Sequence, residues 1–209
     1  MISHPARNLA ALALTATLLA TAGCGTPPWK QQASPAPSGR TASAAHSPSI
    51  TPHPSATSVS NDLAKGSLKR TLPAGAAELK VTYWSTLDLR QWAPDVPKPL
   101  NVVASAKLNG GAKGQNVYLS AVQVASTATG QDGTQQALDQ VEDTADVKPG
   151  YLVTKPNSYQ QIFTLPAAAA GSTAMQITVT YELLIQSAPD SKTYLRQAAS
   201  DTFQVPLVS

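Results

Sequence analysis

The sequence predicts a mainly β chain: an antiparallel β-sandwich of seven to eight strands over residues 62–209, preceded by a disordered linker. Three observations lead there. Apolar residues beyond residue 62 recur with period two, as strands with one buried face require. Turn-forming groups such as Asn109-Gly110-Gly111 and Ala188-Pro189-Asp190-Ser191 punctuate those runs. From Gly25 to Ser60, 25 of 36 residues are Pro, Ser, Thr or Ala. Such a segment cannot bury enough apolar surface to offset the entropy of ordering it.

Residues 1–23 have the layout of an export signal. Arg7 and His4 precede an uncharged Leu/Ala-rich run from Leu9 to Gly23, which ends in small residues. The run is too short for a membrane-spanning helix, which needs about 20 apolar residues. It leads to Cys24, the chain's one cysteine, so no intramolecular disulfide is possible. Two processing routes fit. Ala20-Thr21-Ala22 is an A-x-A cleavage site that would release a soluble product with a free thiol. Alternatively, Thr21-Ala22-Gly23-Cys24 resembles the lipobox of bacterial lipoproteins. That resemblance implies cleavage before Cys24, whose thiol carries a diacylglyceryl group. Two acyl chains anchor stably where one does not. The alanine-rich signal and the Ser/Pro/Thr tether resemble those of lipoproteins from high-GC Gram-positive bacteria. The resemblance places the protein on the outer face of the cell membrane, lipid-anchored and extracytoplasmic.

The tether, residues 24–61, spans about 35 Å as a coil and about 110 Å as extended polyproline II. It holds His46 and His53, with nothing around them to fix a metal geometry, and Trp29, five residues after Cys24. The chain's formal charge of +3 is misleading. Residues 1–61 carry three basic and no acidic residues, whereas residues 62–209 carry 12 of each. The folded part has no net basic bias toward nucleic acid. Lys65, Lys69 and Arg70 read as the solvated start of the domain.

Within the domain, an entry strand is expected near Ser67–Leu72. Leu79, Val81 and Tyr83 alternate with Lys80, Thr82 and Trp84. Leu100 to Leu108 alternates next, then Val117 to Val124, and Ile162 to Leu165 makes a shorter run. Met175, Ile177, Val179, Tyr181, Leu183 and Ile185 form one face of the clearest strand. Tyr194 to Leu207 returns beside it as a long hairpin, expected at the centre of a sheet. Gly133–Asp146 has few β-branched residues and reads as a short helix or a long acidic loop. This order of strands resembles an immunoglobulin- or fibronectin-like fold, without the disulfide of antibody domains.

Candidate chemistry is sparse. Residues 62–209 contain no His and no Cys, and their single Met, Met175, takes a core position. Ser-His-Asp and Cys-His catalysis and His/Cys zinc sites are therefore excluded for this part. No phosphate-binding glycine loop is present. Asp139, Glu142, Asp143 and Asp146 share one side of a helix if one forms, but lack a calcium-loop pattern and read as a solvated surface. Glu78, Glu182, Asp88 and Asp95 offer no local pairing of the kind glycosidases use. Trp84 lies on the strand face opposite Leu79 and Val81. Trp92 sits in the loop Leu89–Pro97. Both are candidate ligand-binding residues, able to stack on sugar rings or anchor a partner; against that stands ordinary packing of Trp92 over the core. The turn-bounded loop Pro149–Tyr159, with Tyr151 and Tyr159, reads as ordinary loop packing, with a second rim to a binding surface as the alternative. The expectation is a non-catalytic binding or scaffolding module that needs no cofactor. Its partners would be the membrane, through Cys24, and an envelope protein. The alternatives are a cell-wall polysaccharide-binding module and a carboxylate-based envelope hydrolase.

Overall fold

A computed structural model describes residues 59–208. The signal segment, Cys24, Trp29, His46 and His53 lie outside the described residues. Ten strands form two packed antiparallel sheets. In chain order they are β1 (Leu68–Ala74), β2 (Ala77–Trp84), β3 (Lys98–Leu108), β4 (Val117–Gly130), β5 (Gln135–Ala137), β6 (Val141–Thr144), β7 (Tyr151–Leu152), β8 (Tyr159–Leu165), β9 (Ser172–Gln186) and β10 (Tyr194–Pro206). The first sheet runs β1-β2-β3-β8. The second runs β10-β9-β4, with β5, β6 and β7 in turn along the far edge of β4. The neighbours β2-β3-β8 and β10-β9-β4 reproduce the A-B-E and G-F-C sheets of an immunoglobulin sandwich; β1 is an added strand outside the first.

The period-two reading holds in the packing. Leu79, Val81 and Tyr83 face inward from β2, and Leu100, Val102, Ala104 and Ala106 from β3. The β9 residues Met175, Ile177, Val179, Tyr181, Leu183 and Ile185 close over them from the second sheet. At roughly 25 cal/mol per Å2 of apolar area removed from water, this shared layer is the main force holding the sheets together. A buried polar seam crosses it: the Tyr181 hydroxyl donates to the Tyr83 hydroxyl at 3.0 Å, and the Tyr83 ring lies 4.8 Å from that of Phe203.

Two expectations need correcting. Residues 133–146 form no helix. They supply β5 and β6, which pair with the long free edge of β4 (Thr127 with Ala137, Val124 with Val141). Fourteen residues of β4 expose more backbone donors and acceptors than β9 can use, and this segment takes them. Tertiary pairing thereby overrides a weak local preference. Asp139, Glu142, Asp143 and Asp146 accordingly share no helical face. The hairpin of β9 and β10 is present from Tyr194–Gln186 to Pro206–Ala174, but β9 alone is central; β10 is an edge. Asp62 seals β10 by donating its N–H to the Gln204 carbonyl at 2.9 Å and accepting the Gln204 N–H on Oδ2 at 2.8 Å.

Candidate functional site

The outward face of the first sheet is built row by row from strand register. Trp84 on β2 stands opposite Asn101 on β3, which stands opposite Ile162 on β8. The next row is Lys69, Thr82, Val103 and Gln160, and the one after it Thr71, Lys80 and Ser105. Alternation explains the placement: Tyr83, Val102 and Phe163 are buried, so their neighbours Trp84, Asn101 and Ile162 must point out. Ile162 is 54% exposed, a large aliphatic side chain left in water. Asn101 is only 3% exposed although it faces outward, flanked in register by Trp84 and Ile162. Its Nδ2 donates to the Trp84 carbonyl at 3.4 Å. The result is a short apolar platform with an amide fixed at its centre.

Beside the platform the same face is basic. Lys69, Lys80 and Lys107 occupy outward positions, and Lys155 joins them where its backbone N–H reaches the Ala106 carbonyl at 3.2 Å. Glu78 is the one carboxylate at an outward position of this sheet among the described residues, 4.0 Å from Lys80. The outward face of the second sheet is different in kind. Hydroxyls there pair across strands, Thr178 with Thr202 at 3.0 Å and Thr180 with Ser200 at 2.9 Å. The charges Glu182 and Arg196 oppose each other at 3.9 Å.

The candidate residues separate. Trp84 lies on the exposed platform, half-buried. Trp92 does not join it. Its side chain is 0% exposed, with Nε1 donating to the Ser85 hydroxyl at 3.3 Å and its backbone carbonyl accepting from Val208 N–H at 3.0 Å. It plugs one end of the sandwich and presents no ring face to a ligand. The loop around it is held by Lys98, itself wholly buried, whose Nζ donates to the carbonyls of Pro94, at 3.1 Å, and Val96. Burial pushes the Lys98 ammonium below the usual lysine range. Tyr151 and Tyr159 stack at 5.6 Å, and Tyr159 is tied down by donating to Asp143 Oδ2 at 2.7 Å. The carboxylates considered for hydrolysis do not converge. Glu78 and Glu182 face outward from opposite sheets. Asp88 is occupied by Arg90 at 2.7 Å, whose hydrogen bonds hold its carboxyl down to about 2.

Sequence reasoning missed two groups. The run Ile162–Leu165 reads as a short strand with no face assigned to Ile162. Yet Phe163 and Leu165 alternate, and that parity alone would have put Ile162 outside. The second is a carboxylate at the seam between the sheets. Asp201 on β10 is 10% exposed at its side chain, 3.9 Å from Arg70 Nε on β1, and its Oδ2 lacks a hydrogen-bond partner. Burial raises its carboxyl above the ordinary aspartate range, opposed by the Arg70 charge and the Tyr83 hydroxyl.

Fold and surface together define an antiparallel β-sandwich with one outer face rich in paired hydroxyls and one that is basic and partly apolar. Comparison of the sequence with models of known families and with curated proteins finds no match to either.

Proposed function

We propose that the protein is an extracytoplasmic lipoprotein, anchored through Cys24, that displays its sandwich as a non-catalytic binding or scaffolding module in the cell envelope. The observation that carries this reading is the platform of Trp84, Asn101 and Ile162 on the outward face of the first sheet. Ile162 adds an exposed aliphatic side chain to the half-buried Trp84, and a ligand covering the two together would take that apolar area out of water. The lipid on Cys24 would hold the protein at the membrane, and the proline-rich segment would set the reach. A second reading within the same class, binding of wall polysaccharide, is favoured by the lysines and hydroxyls beside the platform.

The test is cross-linking in intact cells, comparing wild type with Cys24→Ala and with Trp84→Ala/Ile162→Ser. The reading expects one saturable envelope species, captured from the anchored form and lost in the platform variant while that variant still melts cooperatively. Capture that is unchanged by the platform variant, or no saturable capture at all, overturns it.

A further inference from the structure

We propose that the ligand of this face is an anionic polysaccharide, a chain carrying phosphate or carboxylate groups, held across the strands of the first sheet. The inference rests on the reading that this face is the binding surface and adds the chemistry of what binds. Its ground is a segregation of charge. Residues 62–209 hold 12 basic and 12 acidic residues, yet this one face gathers Lys69, Lys80, Lys107 and Lys155 against Glu78 alone. Lys69, Lys107 and Lys155 enter no ion pair among the described residues.

The lysines also have a shape to act in. Lys69, Thr71, Lys80, Thr82, Ser105 and Lys155 line a shallow depression that crosses β1, β2 and β3. Strands about 4.8 Å apart make that crossing roughly 10–15 Å long. Ammonium groups alternate with hydroxyls along it, a pattern that meets both the anionic groups and the hydroxyls of a sugar chain. The charge comes from lysine, a compact point charge that accepts anions from many directions, so phosphodiester and carboxylate units are both suitable. At the end of the depression, one register row beyond Lys69–Thr82–Val103, lies Trp84 beside Asn101. The half-buried indole suits a sugar ring by stacking, and the buried Asn101 amide, donating to the Trp84 carbonyl at 3.4 Å, ties Trp84's backbone to β3. A bilayer of anionic lipids shares the charge but not the shape: a flat headgroup surface cannot enter a concave face lined by Thr71, Thr82 and Ser105.

The experiment titrates the full chain, in mild detergent, with polygalacturonate and with poly(glycerol phosphate). Neutral dextran and vesicles containing phosphatidylglycerol serve as comparators. The expected result is saturable binding to at least one anionic polymer, weakening as ionic strength rises past about 0.1 M, where screening acts within about 10 Å. Lys69→Gln/Lys80→Gln/Lys155→Gln should weaken it about tenfold, since exposed charge contacts are individually worth little and three are removed. Lys113→Gln/Lys148→Gln/Lys192→Gln removes equal charge elsewhere and should change it less than twofold. Equal loss in both triple variants, equal binding of dextran, or binding to vesicles with none to polymer overturns the inference. If no polymer binds while cross-linking still captures a platform-dependent protein, the anionic ligand is wrong and the binding module stands. If neither binds, both readings fall.

Discussion

The hydroxyl pair inside the sandwich can be cut from either side, and the two cuts should not cost the same. Tyr181 on β9 donates to Tyr83 on β2 at 3.0 Å, both rings fully buried. Tyr83→Phe strands the Tyr181 hydroxyl, a donor buried in the core with no other partner. A buried polar group left without a partner costs about 1–3 kcal/mol, and we expect a loss of about 2 kcal/mol. Tyr181→Phe removes the donor itself and leaves only an acceptor position on the Tyr83 oxygen unfilled, so about 1 kcal/mol is expected. In the double variant the stranded Tyr181 hydroxyl no longer exists. Its cost should fall below the sum of the two by about 1 kcal/mol, a coupling typical of contacting residues. Urea unfolding of the full chain measures this, provided the slope with denaturant is unchanged. Additivity within about 0.3–0.5 kcal/mol, or a Tyr181→Phe penalty larger than that of Tyr83→Phe, would refute the direction of this hydrogen bond.

Other substitutions probe separate parts of the structure. Asp201→Asn should make the domain more stable than wild type at neutral pH: the folded carboxyl titrates above its unfolded value of about 3.9, so wild type loses stability as pH rises through that window and the variant does not. Melting at a series of pH values reads this, and a wild type that gains stability across the window contradicts it. Asp88 works with the opposite sign, because its carboxyl is held down to about 2; Asp88→Asn should flatten only the acid limb, below the ordinary aspartate value. Gly150→Ala would place a Cβ 2.5 Å from the Leu119 carbonyl oxygen, where β4 shifts register. Since backbone cannot yield as a flexible side chain does, a loss of about 2 kcal/mol or more in unfolding free energy is expected. Trp92→Ala should cost about 3–5 kcal/mol as a core truncation, whereas Trp84→Ala should weaken ligand capture with a much smaller shift in melting temperature.

The two-sheet fold was legible because its signal is local. Six alternating apolar residues from Met175 to Ile185 admit a strand and no helix, and the turn Ala188–Ser191 fixes where the chain returns. The segment Gly133–Asp146 was not legible, because its state is decided by the open edge of β4, a feature created by residues 117–130 and invisible within the segment itself. Trp92 and Trp84 look alike in sequence. What separates them is that Trp84 obeys the parity of a strand, while Trp92 sits in a loop whose direction is set by the buried Lys98 and by Val208 from the far end of the domain. The Asp201 seam depends on β1 meeting β10, 131 positions apart between Arg70 and Asp201, and no spacing rule reaches that far.

What marks the first sheet's outward face is a comparison internal to the molecule. A sandwich constrains the residues that point inward; outward positions need only be polar enough to stay in solution. Both sheets face the same solvent with the same alternation, so a difference between their outer surfaces is set by which residues occupy the outward positions. They are not alike. On the second, Thr178 and Thr202, Thr180 and Ser200, and Glu182 and Arg196 satisfy one another across β9 and β10. On the first, Lys69 and Lys155 lack ionic partners among the described residues, Ile162 stays in water, and Asn101 is buried on a face where burial brings no core. Like charges gathered without partners repel, so this arrangement costs stability that a mixed surface would not. A counterpart of opposite charge removes that cost on binding, which is why exchanging the lysines for glutamines should leave the melting temperature level or raise it even as it weakens binding. A triple variant that melts well below wild type would show instead that the lysines stabilise the sheet itself, and the case for this face as a binding surface would lose its footing.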